Sequence, residues 1–370
     1  MIRVPSQARG WLLWGVGLSC ALVGACKSKP SDETGRAIPS PQVDQEIKKI
    51  TVLPTRPALP KVVDPPSNPS TKEKVELGHR LFFDPALSVD GSASCYSCHQ
   101  NENGTGGALP LAIGPKQQKL TRHSPALWNV GNFPVFYWDG RSTSLEAQGL
   151  AAWAGGNMGV GKENLDKKAA EVASSPQYKA AFAAAFPGVK PIAAEQVVQA
   201  LSAYERTFVC NDTAYDKFAA GDATALSAEA KDGLELFEGK AMCVVCHAPP
   251  LFSSAAYGQG VFYNVGVGIE GVPEDKVDIG RMKVSKDEKD WAAFRPPSLR
   301  NVAKSAPYFH DGHASKLKDA VKFMAGGGFD NKNKTSLLVD KKLTDIEINQ
   351  LVSFLEALTC PGSLSPPKPE

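Results

Sequence analysis

Cys95-Tyr96-Ser97-Cys98-His99 and, further along, Cys243-Val244-Val245-Cys246-His247 are two copies of the pattern Cys-x-x-Cys-His. Two thiols separated by two residues lie on one turn of helix, where each can add to one vinyl group of a single haem. The adjacent histidine then sits under the iron as its proximal ligand. With eight cysteines and six histidines in 370 residues, chance gives roughly 0.003 such pentapeptides per chain, so two copies predict two covalently bound haems. Paired Cys-x-x-Cys motifs also hold structural zinc. Against zinc, 148 positions separate His99 from His247 and each motif brings its own histidine. A thioredoxin-type redox pair would need strand-rich surroundings, which neither motif has.

Attachment of this kind belongs to an oxidising compartment, and the start of the chain agrees. Arg3 and Arg9 precede the apolar run from Trp11 to Val23, which is short for a membrane span and reads as an export signal to the periplasm. Val23-Gly24-Ala25-Cys26 ends that run in the manner of a lipoprotein cleavage site, making Cys26 a lipid-bearing N-terminus and the membrane a partner through that anchor. An ordinary secretory signal, with Cys20 and Cys26 both incidental, is the competing reading. The net charge of +2 gives no footprint for nucleic acid.

Residues 26–70 are rich in Pro, Ser and Lys without apolar periodicity and read as a flexible tether; residues 361–370 read as a disordered tail. Between them the patterning is helical. Val197, Leu201, Tyr204 and Phe208 form one buried stripe. Thr344-Asp345-Ile346-Glu347 is a capping box ahead of Ile348, Leu351, Val352, Leu355 and Leu358. A Leu-Phe helix precedes each motif, at Leu81-Phe82-Phe83 and Leu234-Glu235-Leu236-Phe237. The expectation is an all-α fold of two tandem cytochrome c-like haem domains, 71–225 and 226–360, after a signal peptide over 1–25. Cys210 and Cys360 are left over, open to a disulfide that ties the terminal helix back or to two unpaired thiols.

Further motifs extend the pattern: Leu81-Phe82-Phe83-Asp84-Pro85, Ser124-Pro125-Ala126-Leu127-Trp128-Asn129, Tyr137-Trp138-Asp139-Gly140-Arg141, Pro297-Ser298-Leu299-Arg300-Asn301 and Ala306-Pro307-Tyr308-Phe309-His310-Asp311-Gly312. In these the chain resembles the bacterial di-haem cytochrome c peroxidase family, which includes the MauG-like enzymes, from about Glu76 to Leu358. The resemblance implies a first, low-potential haem that meets hydrogen peroxide. It implies a second, high-potential haem that takes electrons from a small donor protein, a cytochrome c or a cupredoxin. A second copy of the chain is a further candidate partner.

Residue by residue, the resemblance places Met324 as distal ligand of the second haem, where a thioether opposite an imidazole favours ferrous iron. Spacing alone reads Met324 as core packing, and MauG-like members have a tyrosine at the site. Trp138 takes the place of the residue between the haems, although an aromatic in an apolar segment is otherwise core. His310 matches a residue near a haem propionate, with a structural histidine as the alternative; His79 and His313 read as surface or structural. Gln148 matches a position that hydrogen-bonds near the distal pocket. Where the peroxidases carry a proton-shuttling glutamate, this chain has Gly155-Gly156-Asn157-Met158-Gly159, and Asn157 cannot exchange a proton in that way; Glu146 and Glu163 flank the region. His123 matches either a removable ligand of the first haem or a position where relatives offer an asparagine to calcium. For calcium, the carbonyls of Ser305 and Pro307 would be the remaining protein ligands, and oxygen-seeking calcium disfavours an imidazole. A MauG-like oxidase acting on a partner protein and a non-enzymatic electron carrier or sensor are the rival functions.

Overall fold

A computed structural model describes residues 56–258 and 261–368. The export signal, Cys26 and the tether as far as residue 55 lie outside the described residues. Among the described residues the regular structure is helical apart from one hairpin of β1 (Ile113–Gly114) and antiparallel β2 (Gln118–Lys119), with long irregular loops between helices. The helices are α1 (Lys72–Phe83), α2 (Cys95–Cys98), α3 (Leu145–Ala154), α4 (Leu165–Ser174), α5 (Pro176–Ala185), α6 (Ala194–Glu205), α7 (Ala214–Ala219), α8 (Ala228–Glu238), α9 (Met282–Ser285), α10 (Leu317–Ala325) and α11 (Asp345–Glu356). The fold is all-α with two cytochrome c-like haem modules, as the sequence led us to expect. No described helix is long and apolar enough to cross a membrane.

Each attachment motif follows one member of a crossed helix pair. Thr71 caps α1 by accepting from the Lys74 amide, and Asp84-Pro85 ends it because proline cannot continue the hydrogen-bond ladder. α1 crosses α6 at Gly78, where an added Cβ would lie 1.9 Å from the Ala200 carbonyl oxygen and 2.9 Å from the Tyr204 Cβ. α8 crosses α11 at Gly233 in the same way, 1.9 Å from the Gln350 oxygen and 2.9 Å from the Phe354 Cβ. Only glycine permits backbones so close. One apolar core gathers Leu81, Phe82, Val197 and Leu201, another Leu234, Phe237, Leu351 and Phe354. The Thr344–Glu347 capping box opens α11 as its sequence predicts.

The loops between these helices repeat as well, at a shift of 172 positions. Asn129 and Asn301 both take the left-handed conformation (φ 59° and 64°), as do Tyr137 and Phe309 (65° and 73°) and Gly140 and Gly312 (67° and 69°). Phe136 bridges Ser142 and Tyr308 bridges Ala314. Each Asn side-chain oxygen accepts from the cysteine amide beyond the module's last helix, Cys210 at 2.9 Å and Cys360 at 3.1 Å.

The modules meet reciprocally. His123 N–H donates to the His310 carbonyl (2.7 Å), and its counterpart, Arg295 N–H, donates to the Trp138 carbonyl (2.8 Å). Reciprocal pairing of this sort is what a two-fold axis produces. Trp138 and His310 are counterparts that face each other across it, ring centroids 6.5 Å apart, and so are Cys210 and Cys360, which form a disulfide. Of the two alternatives for these cysteines, the structure has the disulfide.

Two expectations of disorder are corrected. Residues 56–70 are bound to the body: Arg56 pairs with Glu238, and Asp64 accepts from the Ser70 amide and hydroxyl. Asn68, 1% exposed, donates to Gln199 and Glu146. The tail also docks. Leu364 is buried, exchanges two hydrogen bonds with Asn101, and is followed by Ser365, whose carbonyl lies 2.6 Å from His79 Nε2. Composition suggested flexibility, but specific polar partners hold both segments.

Candidate haem sites

Both motifs present their histidines in one state. His99 Nδ1 lies 3.0 Å from the Thr105 carbonyl and His247 Nδ1 lies 3.0 Å from the Phe252 carbonyl. A carbonyl can only accept, so Nδ1 carries the proton and Nε2 the free lone pair, the tautomer and orientation that an iron ligand requires. The accepting residues are held in the left-handed region, Thr105 at φ 66° and Phe252 at 51°. Burial lowers both imidazole pKa values, His99 to about 4, so both rings are neutral at physiological pH.

Cys95 and Cys98 on α2, and Cys243 and Cys246 around a tight 3-10 turn at Cys243–Val245, remain free and half-buried. Burial pushes the Cys95 and Cys243 thiols up, Cys243 to about 12. Four unpaired thiols, two neutral imidazoles and a cation without a carboxylate fit two attached haems. The cation is Arg295, which lines the cavity between the modules with no carboxylate partner among the described residues. Burial brings it down to about 10, and the acidic propionates of a haem would complete its charge.

Around this frame the other expected residues separate. Trp138 is buried on the module axis, and its Nε1 donates to the His123 carbonyl at 2.9 Å. His310 is buried and stacked on Phe294 at 3.7 Å; its pKa is lowered to about 4 by burial. Met324 is half-buried on α10, and Gln148 is half-buried on α3, its backbone carbonyl accepting from the Tyr137 hydroxyl. The Asn157 loop is pressed on β1, where a Cβ on Gly114 would lie 2.0 Å from the Gly156 oxygen. His123 is tied through Nδ1 to Leu109 at 2.9 Å and through its backbone to His310 and Trp138. It lines the same cavity as Ser305 and Pro307.

Neither flanking glutamate is free to replace the missing shuttle. Glu146 accepts from Asn68 and Arg206; burial raises its pKa, but these bonds more than offset it and hold the carboxyl below its usual range. Glu163 is exposed and accepts from Asn164. A carboxyl that sequence reading passed over is Glu205 on α6, electrostatically coupled to Cys95. Burial pushes it up to about 8, so it is mostly protonated at neutral pH. Its only signal in the sequence is a charge one residue beyond Tyr204 in the apolar stripe.

Two attachment motifs, each with a neutral, oriented histidine and arranged about a pseudo-two-fold axis, define a di-haem c-type cytochrome. The profile of the di-haem cytochrome c peroxidase family matches residues 72–224. The chain is 37% identical to the cytochrome-c peroxidase IdrP1 of Denitromonas iodatirespirans, over 81% of this chain and 85% of that one. It is 34% identical to the methylamine utilization protein MauG of Methylorubrum extorquens, over 83% and 84%. A crystal structure of a MauG-like protein associated with microbial copper homeostasis superposes with a TM-score of 0.73 at 30% identity, covering 84% of this chain and 97% of that one. The chain belongs to the di-haem cytochrome c peroxidase family.

Proposed function

We propose that this protein reduces hydrogen peroxide to water in the periplasm with electrons from a small reduced protein such as a cytochrome c. The observation that supports it most is the meeting of Trp138 and His310 on the axis between two motifs whose histidines are both poised as ligands. Cys95, Cys98 and His99 hold one haem and Cys243, Cys246 and His247 the other, with Met324 as the second ligand of the latter. When bound, the haems store and pass the two electrons that each peroxide consumes. We assign residues 71–225 to the peroxide-handling module and 226–360 to the electron-accepting one.

The chain's own residues do the rest. Arg295 would neutralise the propionates of a bound haem, His310 would lie near them, and Trp138 fills the space between the modules with an apolar ring anchored by one hydrogen bond. Gln148 offers a hydrogen bond to peroxide. Asn157 holds that substrate but cannot move its proton. Asn157→Glu is therefore expected to raise the second-order rate with peroxide about tenfold or more, within the range of general acid–base catalysis; stopped-flow rates on the two proteins give the answer. The function itself is tested by peroxide-dependent oxidation of reduced cytochrome c by the haem-loaded protein. Turnover supports the reading, and no oxidation above the protein-free rate overturns it.

The lack of a glutamate in the Asn157 loop favours a second reading, a MauG-like oxidase that spends peroxide on a partner protein, and the MauG of Methylorubrum extorquens is a relative. Met324 weighs against it. Calcium between the modules would find the Ser305 and Pro307 carbonyls beside an imidazole, short of the six to eight oxygens it prefers, and no step is assigned to it.

Anchoring through a lipid on Cys26 completes the proposal. Cys26→Ser is expected to move the protein from the membrane to the soluble fraction on cell fractionation; unchanged membrane association would exclude the anchor.

A further inference from the structure

The 172-position repeat continues from the loops into the helices that follow them. α3 begins at Leu145 and α10 at Leu317, and the two are in register. Leu145 is buried and Leu317 packs on its module's core. Gly149 lies against Val198 of α6, and its counterpart Val321 is buried. Trp153 is buried and Ala325 packs on the second core. Positions 145, 149 and 153 thus match 317, 321 and 325 as the inward stripe.

Positions 148 and 152 lie one step around the helix from that stripe, and so do 320 and 324, four residues apart and on one face. The two helices fill this second stripe in opposite order. α3 has Gln148 then Ala152, and α10 has Ala320 then Met324. The long side chain comes first in one module and second in the other. The position equivalent to Met324 is occupied in the first module by Ala152, a methyl group with no donor atom.

We infer that Ala152 is the residue that keeps the first haem accessible to small substrates. It stands at the pseudo-symmetric place of the ligand Met324, and its small size reserves that space for peroxide. Gln148, a turn earlier, borders the space without filling it. One ancestral module thereby yields a closed electron-transfer site and an open reactive one through the residue at a single helical position. This rests on Met324 being the second haem's ligand, so that ligation is tested alongside.

The haem-loaded protein would be prepared as wild type, Ala152→Met, Ala152→Leu, Ala152→Val and Met324→Ala. The visible and electron paramagnetic resonance spectra would be recorded in the oxidised and half-reduced forms, with cyanide affinity of the first haem. In Ala152→Met the first haem is expected to become low-spin with a sulfur-to-iron absorption band and to lose at least tenfold in cyanide affinity. Ala152→Leu adds comparable bulk without a donor and should weaken cyanide without the new band. Ala152→Val, the smallest change, should weaken it in the same direction if the longer side chains prevent folding. Cyanide affinity and spin state unchanged in Ala152→Met, or unchanged affinity in Ala152→Val where the longer variants do not load haem, would overturn the inference. A second haem unaltered in Met324→Ala would instead remove the ligand reading, and with it the premise.

Discussion

Met324→Ala is expected to lower the reduction potential of the second haem by on the order of 0.15 V, a modest part of the roughly 0.8 V that axial ligands span. Opposite an imidazole, a thioether stabilises ferrous iron, and its loss leaves water or nothing in its place. At about 59 mV per decade for a one-electron couple, electron transfer from the donor becomes roughly 300-fold less favourable. Donor oxidation should fall with it, while the first haem's reaction with peroxide, followed in a single turnover, should barely change. Spectroelectrochemical titration reads the potential directly. Met324→His should restore a low-spin spectrum without restoring the potential, which separates ligand chemistry from packing. A potential unchanged in Met324→Ala would return Met324 to the status of a core methionine beside Phe323.

Arg300→Ala should cost about 3–5 kcal/mol of stability, the range for removing one partner of a buried ion pair. Arg300 is 1% exposed. It holds both oxygens of Asp216 at 2.8 Å and donates to the carbonyls of Pro250 at 2.7 Å and Cys210 at 3.1 Å. It therefore links the start of α7, the loop after His247 and the disulfide. Arg300→Lys keeps the charge but loses the fork and should recover only part of the loss. Burial raises the Asp216 pKa, yet the Arg300 bonds and charge more than offset it and leave the carboxyl below its usual range. A carboxyl depressed by folding contributes fully above its unfolded pKa of about 4 and loses that contribution as pH falls through the folded value. The penalty should be full at neutral pH and shrink in acid, as read from denaturant midpoints of the haem-loaded protein at the two pH values.

The attachment motifs, the Leu-Phe helices and the capped terminal helix were legible because each is a short pattern whose chemistry requires fixed spacing. Duplication beyond the motifs was less so. The motifs repeat at a shift of 148, the last helices at 150 and the loops at 172, so no single offset aligns the halves. The loops share left-handed backbone at Asn129 and Asn301 or at Tyr137 and Phe309 and side chains such as Pro125 and Pro297, Leu127 and Leu299, and Asp139 and Asp311, but the changing offset between motif, loop and last helix hides them. Residues 56–70 and the tail misled for another reason. Pro-rich, polar composition signals disorder only when the polar groups lack partners, and Asn68 and Leu364 have partners 78 and 263 positions away. Glu205 was hidden because burial at the end of a helix packed among the other helices of its module is a tertiary property. The roles of Trp138 and Met324 were carried by resemblance, since spacing alone reads both as core.

The most direct test of the two-module account is stopped-flow absorbance of the half-reduced, haem-loaded protein mixed with one equivalent of peroxide and then with reduced cytochrome c. The expected result is that peroxide rapidly takes one electron from the reduced haem of the Met324 module and the second from the His99 haem, and that two equivalents of reduced donor afterwards restore the starting spectrum. Spectra of both haems that stay unchanged on mixing with peroxide would contradict it, and would leave a di-haem electron carrier or sensor as the better description.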